Sequence, residues 1–403
     1  MSDWQEIRLG DVLTLQRGFD LPARERAEGP FPIVSSAGVT GSHREFKVKP
    51  PGVVIGRYGS LGTVHWVSKP FWPLNTSLWV KDFKGNDPRF VAYLLKTVTV
   101  DGSTASAVPG VNRNHLHTRP VRRPSPAVQR RIAAVLSAFD ELIAINERRI
   151  ALLEDLARSL YREWFVQFRF PGHEEVKFVN SELGSIPEGW EVRRLGDVLR
   201  VDKGLSYKGA HLTGSGPSMA NLKCFAPHGG FRRSGTKPYS GIYRERHSVV
   251  PGDLIVANTD LTQAGHVVGS PAILPRRGFS EGGLVSHHLF AVRALGGRKE
   301  VPFFFHLMLD ARFREFARSR ASGTTVLGFR SDDLIEYPYV APPAPMQGQF
   351  SEFARLALEH AESLVDENEA LAATRDLLVP RLVTGRLDIS EVDLGDLLPA
   401  DAA

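Results

Sequence analysis

The chain has 403 residues, and its 50 lysines and arginines exceed its 45 aspartates and glutamates for a formal net charge of +5. That length suggests two to three domains, each able to bury a core, and the mildly basic balance permits nucleic acid as a partner without demanding it. Cys224 is the one cysteine, which excludes an internal disulfide and a cysteine metal cage and points to a reducing cytoplasm; Met1-Ser2-Asp3-Trp4 has no charged lead before an apolar run, so no signal peptide is read, and no apolar run approaches the ~18 residues of a membrane span.

The N-terminal block recurs mid-chain. Residues 4–18 read WQEIRLGDVLTLQRG and residues 190–204 read WEVRRLGDVLRVDKG. A constant offset of 186 maps Trp4 onto Trp190, Leu9 onto Leu195, Gly10 onto Gly196, Asp11 onto Asp197 and Gly18 onto Gly204. A gapless match of this length reads as an internal duplication. Taken singly, each block is a short strand or helical turn that packs its tryptophan into a core.

Residues 19–120 read as a mixed, strand-rich domain. Gly52-Val53-Val54-Ile55-Gly56, Thr63-Val64-His65-Trp66-Val67 and Ser77-Leu78-Trp79-Val80 are short, β-branched or aromatic runs bounded by Gly, Pro or Asn. Residues 90–96 (FVAYLLK) predict a helix. A Gly102-Ser103-Thr104 loop follows.

The stretch from Pro126 to Phe168 predicts a long helix. Ser125-Pro126 is a start signal, and Pro171-Gly172 a stop. Ile132, Leu136, Phe139, Ile143, Ile150, Leu153, Ala157, Leu160 and Trp164 form a heptad seam, with Asn146 in its one polar slot. At ~1.5 Å per residue such a helix spans roughly 60 Å and calls for a partner helix.

The second copy follows the same order. Pro251-Gly252-Asp253-Leu254-Ile255-Val256 mirrors Pro51-Gly52-Val53-Val54-Ile55, the Ser286–Val292 run stands for the Thr76–Val80 run, residues 303–309 (FFFHLML) fill the helix slot, and Gly323-Thr324-Thr325 matches the earlier loop. An offset of 218 then maps Leu116 to Leu334, Pro120 to Pro338 and Gln129 to Gln347, so a second long helix is expected from about Met346 to Leu387. Its stripe is Phe350, Phe353, Ala354, Ala357, Ala361, Leu364, Leu371, Leu378 and Leu382, and Pro380 is expected to kink or end it. The expected organisation is a globular domain over residues 1–124, a long helix over 125–169, a linker over 170–188, a second globular domain over 189–344, a second long helix over 345–388 and an acidic tail over 389–403. The fold class is α+β with pseudo-two-fold symmetry, the two helices being each other's partners; periodicity leaves their relative direction open.

Catalytic motifs are absent from the sequence. There is no Walker loop, no Gly-x-Gly-x-x-Gly after a strand, and no Asn/Asp-Pro-Pro-Tyr/Phe of the amino-methyltransferase kind. Glu45-Phe46-Lys47 with Asp20 has the residue types of a metal-dependent nuclease, though such triplets are common by chance. His115-x-His117 and His287-His288 have no cysteine or carboxylate at ligand spacing, so no metal site is expected.

The loops carry the donors. Arg57-Tyr58-Gly59-Ser60 joins two predicted strands with a guanidinium, a ring and a hydroxyl, types suited to base edges and phosphates. Lys47, Lys49, Asn112, Arg113 and Asn114 add to them. The second copy has Lys203, Ser206, Tyr207, Lys208, Asn221, Lys223, Asn258, Thr259, Asp260, His287, His288 and Arg330. The scaffold residues repeat and the polar loop residues do not, a pattern suited to reading two different half-sites.

Two further motifs carry a family resemblance. Tyr161-Arg162-Glu163-Trp164-Phe165-Val166, then Phe170-Pro171-Gly172 and the Ser181–Trp190 segment SELGSIPEGW, resemble the central conserved region of type I restriction–modification specificity subunits. The Leu377–Leu387 segment LLVPRLVTGRL resembles their distal one. The resemblance covers all but the acidic tail. It implies two target-recognition domains on an antiparallel helix pair, each reading half of a split site in double-stranded DNA. The helices would set the gap and dock two modification subunits, which bind S-adenosylmethionine and methylate adenine. Restriction subunits would add ATP-driven translocation and cleavage, so S-adenosylmethionine, ATP and magnesium would belong to partners and this chain would be non-catalytic. The alternatives are a nuclease acting alone through Glu45 and Lys47, or a protein-binding coiled-coil scaffold.

Overall fold

The computed structural model describes residues 4–99, 110–212, 214–226, 229–261, 264–390 and 392–394. It divides into two compact units, Met1–Asn146 with Glu367–Ala403, and Glu147–Asp366. The division falls within both long helices, whereas the sequence boundaries lie at their ends. The reason is packing: each globular part buries its share of both helices in its own core. Gly102-Ser103-Thr104 and residues 391 and 395–403 of the tail lie outside the described residues. No helix among the described residues is long and apolar enough to cross a membrane.

In the first unit, Gly52–Gly56 is buried along its whole length, so it reads as a continuous apolar run and not an alternating one. It lies inside a four-stranded antiparallel sheet in the order Thr14–Arg17, Ser77–Asp82, Gly52–Gly56, Val64–Val67. A smaller sheet pairs Gly38–His43 with Phe31–Ser35, and the latter runs parallel to Trp72–Pro73. Helix Pro88–Thr97 starts on Asp87, whose Oδ1 accepts the Phe90 amide at 2.8 Å, and packs Phe90, Leu94 and Leu95 into the main core. The repeated N-terminal block forms strand Gln5–Arg8, which pairs with Pro120–Arg123 just before the first long helix.

The second unit has the same order: Leu199–Lys203, Leu289–Ala294, Leu254–Ala257, Pro271–Ile273, all antiparallel. Its second sheet again contains a parallel pair, Ser218–Ala220 with Gly283–Val285. Helix Val301–Leu309 fills the expected slot. Strand Glu191–Arg194 pairs with Pro338–Ala341, as in the first unit.

The first long helix runs from Pro126 to Tyr161 and continues as a π-helical turn over Arg162–Val166. It stops two residues before the expected Phe168, which itself turns left-handed at φ 56°. Before the π turn begins, the buried stripe already shifts to i+4 steps, Ala157, Tyr161 and Phe165. Tyr161 and Phe165, outside the expected seam, are buried, while Leu160 and Trp164 are half-buried. Of the other expected pairing residues, Ile132, Leu136, Phe350 and Leu364 are buried, and Phe139, Ile143, Ile150, Leu153, Leu371 and Leu378 are half-buried. The second long helix spans Ala344–Val383 and carries Pro380 inside its last turn. So close to the end, the proline's missing N–H leaves only one carbonyl without its helical donor, and the helix runs on.

Within the first unit the helices run antiparallel: Arg375 pairs with Asp140, and Asn368 with Asn146, so rising numbers meet falling ones. Within the second, the Phe350 ring lies 5.6 Å from Tyr161 and 5.2 Å from Phe165. These rings, with Phe303 and Trp190, make its core.

Candidate nucleic-acid interface

The repeated glycines explain how the loops are held. A Cβ on Gly18 would lie 2.1 Å from the Leu74 carbonyl oxygen, and one on Gly204 would lie 2.2 Å from the Ser286 carbonyl oxygen. Both positions need a bare backbone so that the end of one strand can touch the loop entering another. The hydrogen bonds around them repeat. Phe19 N donates to Pro73 O, and Leu205 N to Val285 O; Asn75 N donates to Phe19 O, and His287 N to Leu205 O. Gly10 and Gly196 repeat likewise: a Cβ on the first would lie 3.1 Å from the Cβ of His117, and one on the second 3.1 Å from the Cβ of Ile335.

In the first unit this frame gathers the Arg57 loop. Arg57 N and Tyr58 N both reach Thr76 O, at 3.0 and 3.1 Å, and Val111 N reaches Arg57 O. The Arg57 guanidinium lies 4.5 Å over the Tyr58 ring, which orients it without neutralising it. Ser60 is exposed beside them. Asn112 follows Val111 and caps the short Arg113–His117 helix, its Oδ1 accepting the Asn114 amide; Arg113 is exposed. Lys47 belongs to a separate edge, its ammonium 4.8 Å over the Trp72 ring.

In the second unit, Asn258 N reaches His288 O at 2.9 Å, as Arg57 N reaches Thr76 O. Four pairs of positions are therefore equivalent: Arg57 and Asn258, Tyr58 and Thr259, Asn75 and His287, Thr76 and His288. All four differ in type. The His287 and His288 ring centroids lie 3.9 Å apart with the rings tilted by 38°, Tyr207 lies 5.6 Å from His287, and the Thr259 hydroxyl bonds His288 Nδ1 at 2.8 Å. Burial holds both imidazoles below their ordinary range, with the Lys203 cation reinforcing it, and His287 doing so for His288. Both therefore favour the neutral form, and with His288 Nδ1 taken by Thr259 and His287 Nδ1 buried, each ring has its Nε2 left for a partner. Phe329 N bonds Asn258 O and brings Arg330 to the same cluster, 3.3 Å from Asp332. Lys203 and Lys208 are exposed.

Two expected donors are corrected. Asn221 is buried, its Nδ2 donating to Gly235 O at 2.6 Å and its Oδ1 accepting the Lys223 amide. Asn258 is 3% exposed and donates to His287 O. Each amide satisfies backbone groups that a turn leaves unpaired, so it shapes its loop from inside. Lys223 remains exposed beside Asn221. Asn75 and Thr76, equivalent in position to His287 and His288, were not among the expected donors, and the Thr76 hydroxyl is buried. Matching the two copies by sequence pairs Pro51 with Pro251, one residue out of step with the structural match of Arg57 to Asn258. The signal that finds them is the contact made by Gly18 and Gly204.

The family model described as the type I restriction modification DNA specificity domain matches residues 1–155. The type I restriction enzyme MjaIX specificity subunit of Methanocaldococcus jannaschii is 26% identical over 364 residues, 86% of this chain and 80% of that one. The MjaVIII specificity subunit of the same organism is 22% identical and covers 97% and 95%. The EcoDI specificity subunit of Escherichia coli is 23% identical and covers 93% and 86%. Over most of its length the chain is thus similar to type I restriction enzyme specificity subunits, and its first 155 residues match their DNA specificity domain. A crystal structure of the type I restriction–modification S subunit from M. genitalium shares the fold, with a TM-score of 0.60 at 17% identity over 96% of this chain and 97% of that one.

The residues of the nuclease alternative have the following neighbours. Glu45 pairs with Arg44, Asp20 with Arg17 and Asn75, and Lys47 sits on Trp72. His117 Nε2 accepts the Leu15 amide at 3.0 Å, a fold-holding role. Among the described residues no group of His, Cys, Asp and Glu is placed to hold a metal.

Proposed function

We propose that this chain is the non-catalytic DNA-specificity subunit of a type I restriction–modification complex. Each globular domain reads one half of a bipartite site in double-stranded DNA, and the long helices set the gap between halves and dock two modification subunits. S-adenosylmethionine, ATP and magnesium serve the partner subunits, and restriction subunits complete the complex where they are present. One observation carries the reading: a repeated backbone frame presents Arg57, Tyr58 and Asn75 in one copy and Thr259, His287 and His288 in the other. A guanidinium suits guanine and phosphate, whereas neutral imidazoles and hydroxyls suit a different set of base edges. Co-expression with the candidate modification subunit, followed by sequencing of host DNA for methyladenine, tests it. A split motif with one methylated adenine per half is expected; new methylation at a single unsplit motif overturns it.

A further inference from the structure

Helix Ala311–Arg320 has four arginines in ten residues, and two of them turn back onto the protein. Arg314 Nη2 donates to His266 O at 2.8 Å, and Arg318 Nε donates to Gly265 O at 3.1 Å. The Arg318 stem lies along Gly265, whose φ of +63° leaves no room for strain-free substitution. From the other side Asp260 Oδ2 accepts the Val267 amide at 2.7 Å. Asp260 closes the Asn258–Asp260 strand end, which bonds the His287–His288 turn. The chain of contacts therefore runs from the arginine helix through Gly265–Val267 to the second polar cluster.

Arg314 is 8% exposed, and its Nη1 is buried with no hydrogen-bond partner among the described residues. Burial pulls its guanidinium down to about 10, with Arg318 adding to the pull and Asp260 opposing it, so it is still charged at pH 7. An apolar residue would pack there at lower cost. What the guanidinium adds is a fixed donor on a backbone carbonyl, a positional constraint that dispersion alone does not supply.

We propose that Arg314 and Arg318 are positioning residues for the second recognition domain: they hold Gly265–Val267, and through Asp260 the Asn258–Asp260 strand end, in the geometry that reads the second half-site. This rests on the reading of the chain as a two-part DNA reader. Neither arginine needs to touch DNA.

The test is selection from a random duplex pool by the full-length chain with its modification subunits, comparing the wild type with Arg318→Met, Arg314→Met and, as a control on the same helix, Arg320→Ala. Methionine keeps the stem and removes the donors. Arg318→Met and Arg314→Met are expected to lower base discrimination in the second half about tenfold, with the first half and its gap unchanged. Arg320→Ala, whose guanidinium lies over Phe316, is expected to leave both halves as they are. A merely structural role would lower the unfolding temperature and the fraction of active protein and leave the base preference of the protein that binds unchanged in both halves. If Arg318→Met keeps full discrimination in both halves, or loses it equally in both, the proposal is overturned, even where Arg314→Met fails to fold. A wild-type selection that yields no split motif overturns the two-part reading itself.

Discussion

Asn146 Nδ2 donates to Asn368 Oδ1 at 3.0 Å, and Asn368 Nδ2 approaches Ile143 O at 3.4 Å. Asn146 is 3% exposed and fills the one polar slot of the seam. An amide pair among apolar neighbours is satisfied in only one register, because a shift of either helix strands both amides. Asn146→Leu alone is expected to destabilise the first unit by about 1–3 kcal/mol, since Asn368 then loses its partner. The Asn146→Leu/Asn368→Leu double variant is expected to recover most of that stability. Denaturant unfolding of the two singles and the double gives the coupling, and simple additivity would show that the pair sets nothing.

Gly18 and Gly204 offer a matched test of the backbone approach. Alanine at either site drives a methyl into a backbone carbonyl oxygen just past a strand end, which cannot swing away as a side chain would. Each substitution is expected to cost several times the ~1 kcal/mol typical of a point mutation, and to do so in its own unit. Gly209→Ala, with nothing within 4 Å, is expected to be near neutral. Unfolding followed by limited proteolysis separates the two units.

The second unit is expected to lose stability in mild acid. His306 is buried and stacked on Tyr161, and burial lowers its pKa from 6.5 to about 4. Its neutral form is favoured in the fold, so its contribution is full above the unfolded value of 6.5. It drains away as the pH falls from there through about 4. The shift corresponds to about 3 kcal/mol at most. His306→Gln should flatten that part of the stability–pH curve; an unchanged slope would place the titration elsewhere.

Arg57→Ala is expected to weaken specific binding by about 1–3 kcal/mol and to relax preference in the first half-site only. Tyr58→Phe keeps the ring beneath the guanidinium and should cost less. Equilibrium binding to duplexes altered in one half at a time measures both. Unchanged affinity and preference in Arg57→Ala would reduce Arg57 to a turn residue.

Much of this architecture was legible locally. The heptad spacing from Ile132 to Leu153, the start at Pro126 and the short β-branched runs each encode an element within a few residues of chain, because periodicity and caps act over one or two turns. The 186-residue offset likewise located both frames. Past Ala157 the seam shifted by one position, since Tyr161 and Phe165 pack against Phe303 and Phe350, partners far away in sequence.

Residue types, spacing and the repeat thus came from the sequence alone: two strand-rich frames, two long helices, and unlike polar loops on like scaffolds. Tertiary structure decided which of those polar groups face out. Asn221 and Asn258 look like Arg57 in a list of loop donors, yet they turn inward because neighbouring turns leave backbone amides and carbonyls that only a nearby side-chain amide can satisfy. The antiparallel sense of the helices was decided there too, by Asp140 meeting Arg375 and Asn146 meeting Asn368, contacts more than 200 residues apart that no local pattern encodes.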